Sequence, residues 1–124
     1  MGAFAYEKAE KHPIDMEMER MLDENPTTAG LWPAYAFAMK EWDKLLNENY
    51  KALMQKLTKE EQEKLRASQR EWIKYRDLEF AFNEKYWEQF MGTMYVGNST
   101  AYQLMFVRER ALRLGYYLED LSER

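Results

Sequence analysis

Residues 65–80 read Leu65-Arg66-Ala67-Ser68-Gln69-Arg70-Glu71-Trp72-Ile73-Lys74-Tyr75-Arg76-Asp77-Leu78-Glu79-Phe80. At helical spacing, Leu65, Gln69, Trp72, Ile73, Arg76 and Phe80 fall on one stripe. That stripe mixes apolar side chains with an amide and a guanidinium. A wholly apolar stripe would mean only core. Buried polar groups need partners, so this helix predicts polar mates elsewhere in the chain.

Working outward, Thr58-Lys59-Glu60-Glu61 is a capping box, with Thr as N-cap and Glu three residues on. It marks a sharp reversal between two long helices, the second running from about Lys59 to Phe90. Upstream, from Ala34 to Leu57, the residues Trp42, Leu46, Tyr50, Leu53 and Leu57 recur at threes and fours, with Asp43 and Asn47 placed on the same side. Thr27 or Thr28 can cap that helix, and Pro33 fits only in its first turn or at a kink. Pro13 opens a shorter helix with Asp15 near its positive end and Met18, Met21 and Leu22 on its apolar face. Asn25-Pro26 ends it. Downstream, Gly92 and Gly97 are expected to bracket a loop, with Asn98, Ser99 or Thr100 capping a last helix that presents Leu104, Val107, Ala111, Leu114, Leu118 and Leu121. Residues 1–12 read as a loose tail or short helix. The expectation is an all-α protein, a small helical bundle built on a long antiparallel helix hairpin, in one domain over residues 1–124.

Composition agrees. A chain of 124 residues is most simply one domain. Apolar residues make up 46% and charged residues 32%, as in ordinary globular proteins. The net charge of −4 is spread along the chain without a basic block, which argues against nucleic acid as a partner. No apolar run is long enough for a membrane span. There is no cysteine, which excludes disulfides, thiol catalysis and Cys-ligated metals. No secretory leader is visible in the sequence.

In an antiparallel hairpin, facing residues have numbers with a constant sum. With the turn centred between Lys59 and Glu60, Asp43 faces Arg76, Asn47 faces Trp72 with Gln69 one turn away, Tyr50 faces Gln69, and Leu46 faces Ile73. This predicts an Asp43–Arg76 ion pair with Asn47, Tyr50 and Gln69 hydrogen-bonded near it. Such a ladder fixes helix register; the alternative is that Asp43 and Arg76 line a cleft.

Other chemistry finds little support. His12 is the single histidine and lacks the companions of a metal site. Serine has no histidine partner unless His12 serves. Glu60/Glu61 and Glu119/Asp120 read as capping and solvation. No glycine-rich phosphate loop exists, so no cofactor is expected. The aromatics say more. Tyr75, Phe82 and Tyr86 form a stripe offset from that of Trp72, Phe80, Trp87 and Phe90, and one helix cannot bury both in a simple hairpin. Burial of the second stripe within the chain is the expectation for a monomer. If it is uncovered, the region from Tyr86 to Tyr95, with Trp87, is the best partner surface.

The run Gln69-Arg70-Glu71-Trp72-Ile73-Lys74-Tyr75-Arg76-Asp77 resembles the central signature of the LprI-type lysozyme inhibitor family. Trp42-Asp43-Lys44-Leu45-Leu46-Asn47-Glu48-Asn49-Tyr50 resembles that family's upstream element. Gly92-Thr93 and Arg110-Ala111-x-x-Leu114 are similar to its C-terminal part, and His12-Pro13-Ile14-Asp15 and Thr27-Thr28-Ala29-Gly30 to the N-terminal part of one branch. The resemblance covers about residues 12–118. It implies a helical, mostly exported domain, some of whose relatives inhibit lysozyme. Relatives often carry cysteines where Met21, Ala34 and Phe80 stand here. The resulting expectation is a non-enzymatic binding protein of the bacterial envelope, periplasmic or secreted, with lysozyme or a related cell-wall hydrolase as protein partner. The rival is a structural or adaptor protein of the envelope, and a cytoplasmic location stays open.

Overall fold

The computed structural model describes residues 11–90 and 93–122, and for 93–96 the backbone only. The tail expected over residues 1–12 therefore lies largely outside the described residues. Four helices follow in order: α1 Pro13–Glu24, α2 Thr28–Lys56, α3 Lys59–Trp87 and α4 Thr93–Leu121. The protein is an all-α bundle, as expected.

Local chemistry sets the helix ends. The Thr58 hydroxyl accepts a hydrogen bond from the Glu61 amide (3.2 Å), and Glu61 Oε1 accepts one from the Thr58 amide (2.9 Å). Both satisfy amides that helix geometry leaves free. Thr27, rather than Thr28, caps α2 by accepting from the Gly30 amide at 3.3 Å. Pro33 lies inside α2, beyond the first turn, so the Ala29 carbonyl has no helical donor four residues on. Gly30 has a steric reason to be glycine. A Cβ there would sit 1.9 Å from the Asn25 backbone oxygen, where the chain folds from α1 back onto α2.

The core lies between α2 and α4. Ala34, Ala38, Trp42, Leu46 and Leu53 meet Leu104, Val107, Ala111 and Leu114, all 3% exposed or less. Alanines on both helices let the backbones approach, and this is the most closely packed helix pair. Across it Asn49 Nδ2 donates to the Ala111 carbonyl (3.0 Å), and a Cβ at Gly115 would come within 3.2 Å of that amide nitrogen. α1 packs on α2. α3 turns back from α2 through Leu57 and Thr58, with Gln62 Nε2 donating to the Met54 carbonyl across the turn (2.6 Å). Beyond that point α3 leans on α4 more than on α2.

The loop expected between Gly92 and Gly97 is instead helix from Thr93 onward. Gly97 and Ser99 are buried in α4. The Ser99 hydroxyl donates to Asn83 Oδ1 of α3 (2.8 Å). Its tertiary partner overrides the capping preference that a serine shows locally.

Candidate functional site

The polar mates demanded by residues 65–80 are on α4, not α2. Gln69 is the one residue α3 buries, and its Oε1 accepts from Arg110 Nε at 2.9 Å. Trp72 stacks on Phe106 with ring centres 5.5 Å apart and planes 22° from parallel. The Arg76 and Arg110 guanidinium carbons stand 5.6 and 5.9 Å from its ring centre. Each cation over an indole face is attracted to the ring quadrupole. Burial pushes the Arg110 guanidinium below its ordinary pKa, Tyr117 opposes this and Arg113 adds to it.

The expected Asp43–Arg76 ion pair is not formed. Arg76 pairs with its neighbour Asp77 (2.9 Å), while Asp43 and Asn47 are exposed. Asp43 and Arg76 do share the lining of a shallow hollow of about 500 Å³ with Met39, Phe80 and Gln103. Tyr50 packs at the edge of the core. Ile73, expected opposite Leu46, is 40% exposed. The cause is geometric: α4 fills the seam that a simple hairpin would close, so α2 turns its Trp42–Leu46–Asn49–Leu53 face to α4. Asn49 falls on that face, and Asn47 does not.

A second polar cluster ties α1 down. Asp15 takes Arg108 through two nitrogens, Nε at 3.0 Å and Nη2 at 2.7 Å. The Arg108 guanidinium carbon lies 5.3 Å from the Trp42 ring centre, and His12 packs on the same indole at 4.7 Å. His12 Nδ1 accepts from the Ile14 amide (3.1 Å) and caps α1. Burial lowers the His12 pKa; Asp15 opposes this and Arg108 adds to it. The Trp42 Nε1 has no acceptor among the described residues. Sequence reasoning placed Asp15 only at a helix end and passed over Arg108. The signal was present, because Arg108 sits between Leu104 and Ala111 at spacings of four and three. A charge on a core face needs a partner.

The second aromatic stripe is uncovered, contrary to the expectation of burial within the chain. Leu78 is 71% exposed, Phe82 63%, Tyr102 62%, Tyr75 55%, and Tyr86 and Phe90 44% each. Trp87 is partly buried. The side chain of Tyr95 lies outside those described. Phe82–Tyr86, Tyr86–Trp87, Trp87–Phe90 and Trp87–Tyr102 form a chain of ring contacts with centres 5.2–6.0 Å apart. Soluble monomers seldom leave large apolar patches uncovered. Two hollows flank the α3–α4 seam. One, about 270 Å³, lies among the aromatics at Glu79, Phe82, Tyr86, Trp87 and Tyr102. The other, about 530 Å³, lies near the α2–α3 turn, with Leu53, Leu57 and Leu121 beside Glu60, Glu61 and Asp120. Among the described residues, no group of three His, Cys, Asp or Glu side chains is placed to hold a metal. No described helix is long and apolar enough to cross a membrane.

Among curated proteins, none matches this chain. Among solved structures, the fold is similar to the crystal structure of an uncharacterised protein from Burkholderia thailandensis. The TM-score is 0.84 and identity is 28%, over 91% of this chain and 56% of that one. The chain thus spans little more than half the length of that relative. A family model described as Lysozyme inhibitor LprI matches residues 22–114, three-quarters of the sequence. That span carries the Gln69–Trp72–Arg76 motif, here the hub where α3 docks on α4, together with its partners Phe106 and Arg110. By that match, this chain belongs to the LprI lysozyme inhibitor family.

Proposed function

We propose that this chain is a single-domain, non-enzymatic binding protein of the bacterial envelope, periplasmic or secreted, that inhibits lysozyme or a related cell-wall hydrolase. The observation that carries the reading is the uncovered aromatic stripe of α3, Tyr75, Phe82 and Tyr86, continued by Trp87 and Tyr102. Tyrosine and tryptophan are favoured interface anchors, and family membership supports lysozyme or a related hydrolase as the target. The net charge of −4 suits a basic lysozyme by speeding encounter. The motif residues Gln69, Trp72, Arg76 and Arg110 hold α3 on α4, and the aromatic stripe at the edge of that seam meets the partner.

The test is lysozyme activity on bacterial cell walls with increasing amounts of purified protein. Stoichiometric loss of activity supports the inhibitor, with Phe82→Ser and Tyr86→Ser relieving it. Full activity at large excess removes the hydrolase as target and leaves an adaptor, whose partner a pull-down on the same aromatic variants would identify.

A further inference from the structure

The 270 Å³ hollow between α3 and α4 has an unusual lining. Six aromatic rings wall it, Phe82, Tyr86, Trp87 and Tyr102 among them, with one carboxylate, Glu79, and the amides of Asn83 and Gln103. No lysine, arginine or histidine is in that lining. The nearby cations are already engaged, Arg76 by Asp77 at 2.9 Å and Lys85 by Glu88 at 3.6 Å. The nearby carboxylates are not neutralised. Glu79 accepts from the Tyr75 hydroxyl (3.2 Å) and Glu84 from the Gln103 amide (3.1 Å), both uncharged donors. Among the described residues neither has an ion-pair partner. Ring faces and carboxylates both present negative potential, so the hollow favours a cation and disfavours an anion.

Size narrows the choice. Pockets for small molecules begin at about 300 Å³, so this hollow suits one side chain better than a larger ligand. A guanidinium is planar, stacks on rings and forks onto a carboxylate, and it gives up water more readily than an ammonium. We infer that the hollow is the seat of one arginine side chain from a basic protein partner, stacked on the rings and paired with Glu79. The inference rests on the partner-binding reading above and names the partner's anchor.

The test uses the whole chain and two short peptides, acetyl-Gly-Arg-Gly-amide and its counterpart with citrulline, a neutral isostere. The readout is the NMR signal of the Trp87 indole N–H, assigned by its loss in Trp87→Phe. The arginine peptide is expected to shift that signal saturably and to leave the buried Trp42 indole unmoved. Citrulline is expected to bind roughly tenfold more weakly, and Glu79→Gln to weaken the arginine peptide by a similar factor. Equal shifts from both peptides, or no shift from arginine, would overturn the inference. The two peptides are compared on the unaltered chain, so the result does not depend on a variant's folding. The lysozyme assay is read separately. Arginine selectivity without inhibition keeps the hollow's role and removes lysozyme as partner. Inhibition without any peptide shift keeps the inhibitor and removes the hollow.

Discussion

Helix α4 has two neighbours and treats them differently. Toward α2 it presents Leu104, Val107, Ala111 and Leu114, which close on alanines, leucines and the single indole of Trp42 with almost no exposed surface. Toward α3 it presents Tyr102, Phe106 and Arg110, which meet aromatic rings and an amide. Small side chains bring backbones together and exclude water; large planar ones hold helices apart and leave hollows at their edges. The first seam supplies stability, and the second leaves the exposed rings and the hollow on which the proposed partner binding rests.

The sharpest way to break this contrast is a pair of truncations. Leu114→Ala, at a fully buried site, is expected to cost about 4 kcal/mol. Phe106→Ala, on the partly buried α3 side, is expected to cost about 2 kcal/mol despite the larger side chain. Urea unfolding midpoints measure both, and equal losses would mean the two seams are packed alike. Next in size is Gly30→Ala. Its Cβ would collide with the backbone oxygen of Asn25, not with a side chain that can swing away. A loss of about 3 kcal/mol is expected, the upper end of overpacking costs, read as a lowered melting temperature.

A smaller effect tests the α1 clamp. His12 caps α1 with a neutral Nδ1, and burial holds its pKa below the ordinary 6.5. The unfolded chain then binds the proton more readily than the folded one. Its contribution is complete above pH 6.5 and is lost as pH falls through 6.5 toward the lowered folded value. His12→Asn keeps a capping acceptor and should flatten this stretch of the stability–pH curve. An unchanged curve would assign the pH dependence to other groups. The smallest expected effect on stability is that of Phe82→Ser, within about 0.5 kcal/mol because the ring is exposed. The same substitution should weaken partner binding. Thermal melts and the lysozyme assay, run side by side, would show whether the two seams separate stability from binding.

Much of the fold was legible in the sequence. The capping box at Thr58, the Thr27 cap, the Pro13 start and the Asn25-Pro26 stop are local signals, and each appears where the residues predict. The last helix was misread at its start. Gly97 and Ser99 look like loop residues in isolation, yet both lie buried within α4, and Ser99 has Asn83 to bond. The polar network was half legible. Gln69, Trp72 and Arg76 were identified as needing partners, but those partners were assigned to the wrong helix. Asn49 was passed over for Asn47, although only Asn49 shares a face with Trp42, Leu46 and Leu53. The aromatic stripe was legible as a stripe, and its exposure was not.

The sequence by itself determined four helices, their main boundaries, the residues sharing each face and the family motif, because periodicity, caps and breakers act within a few residues of one another. Only the tertiary structure decided which face meets which. It placed α4, not α2, against Trp72, paired Asp15 with Arg108 across 93 positions, and left Phe82 and Tyr86 in solvent. Periodicity gives a residue's direction around its own axis and carries no information on the neighbour in that direction. The side-chain volumes of all the helices, packed together, settle that.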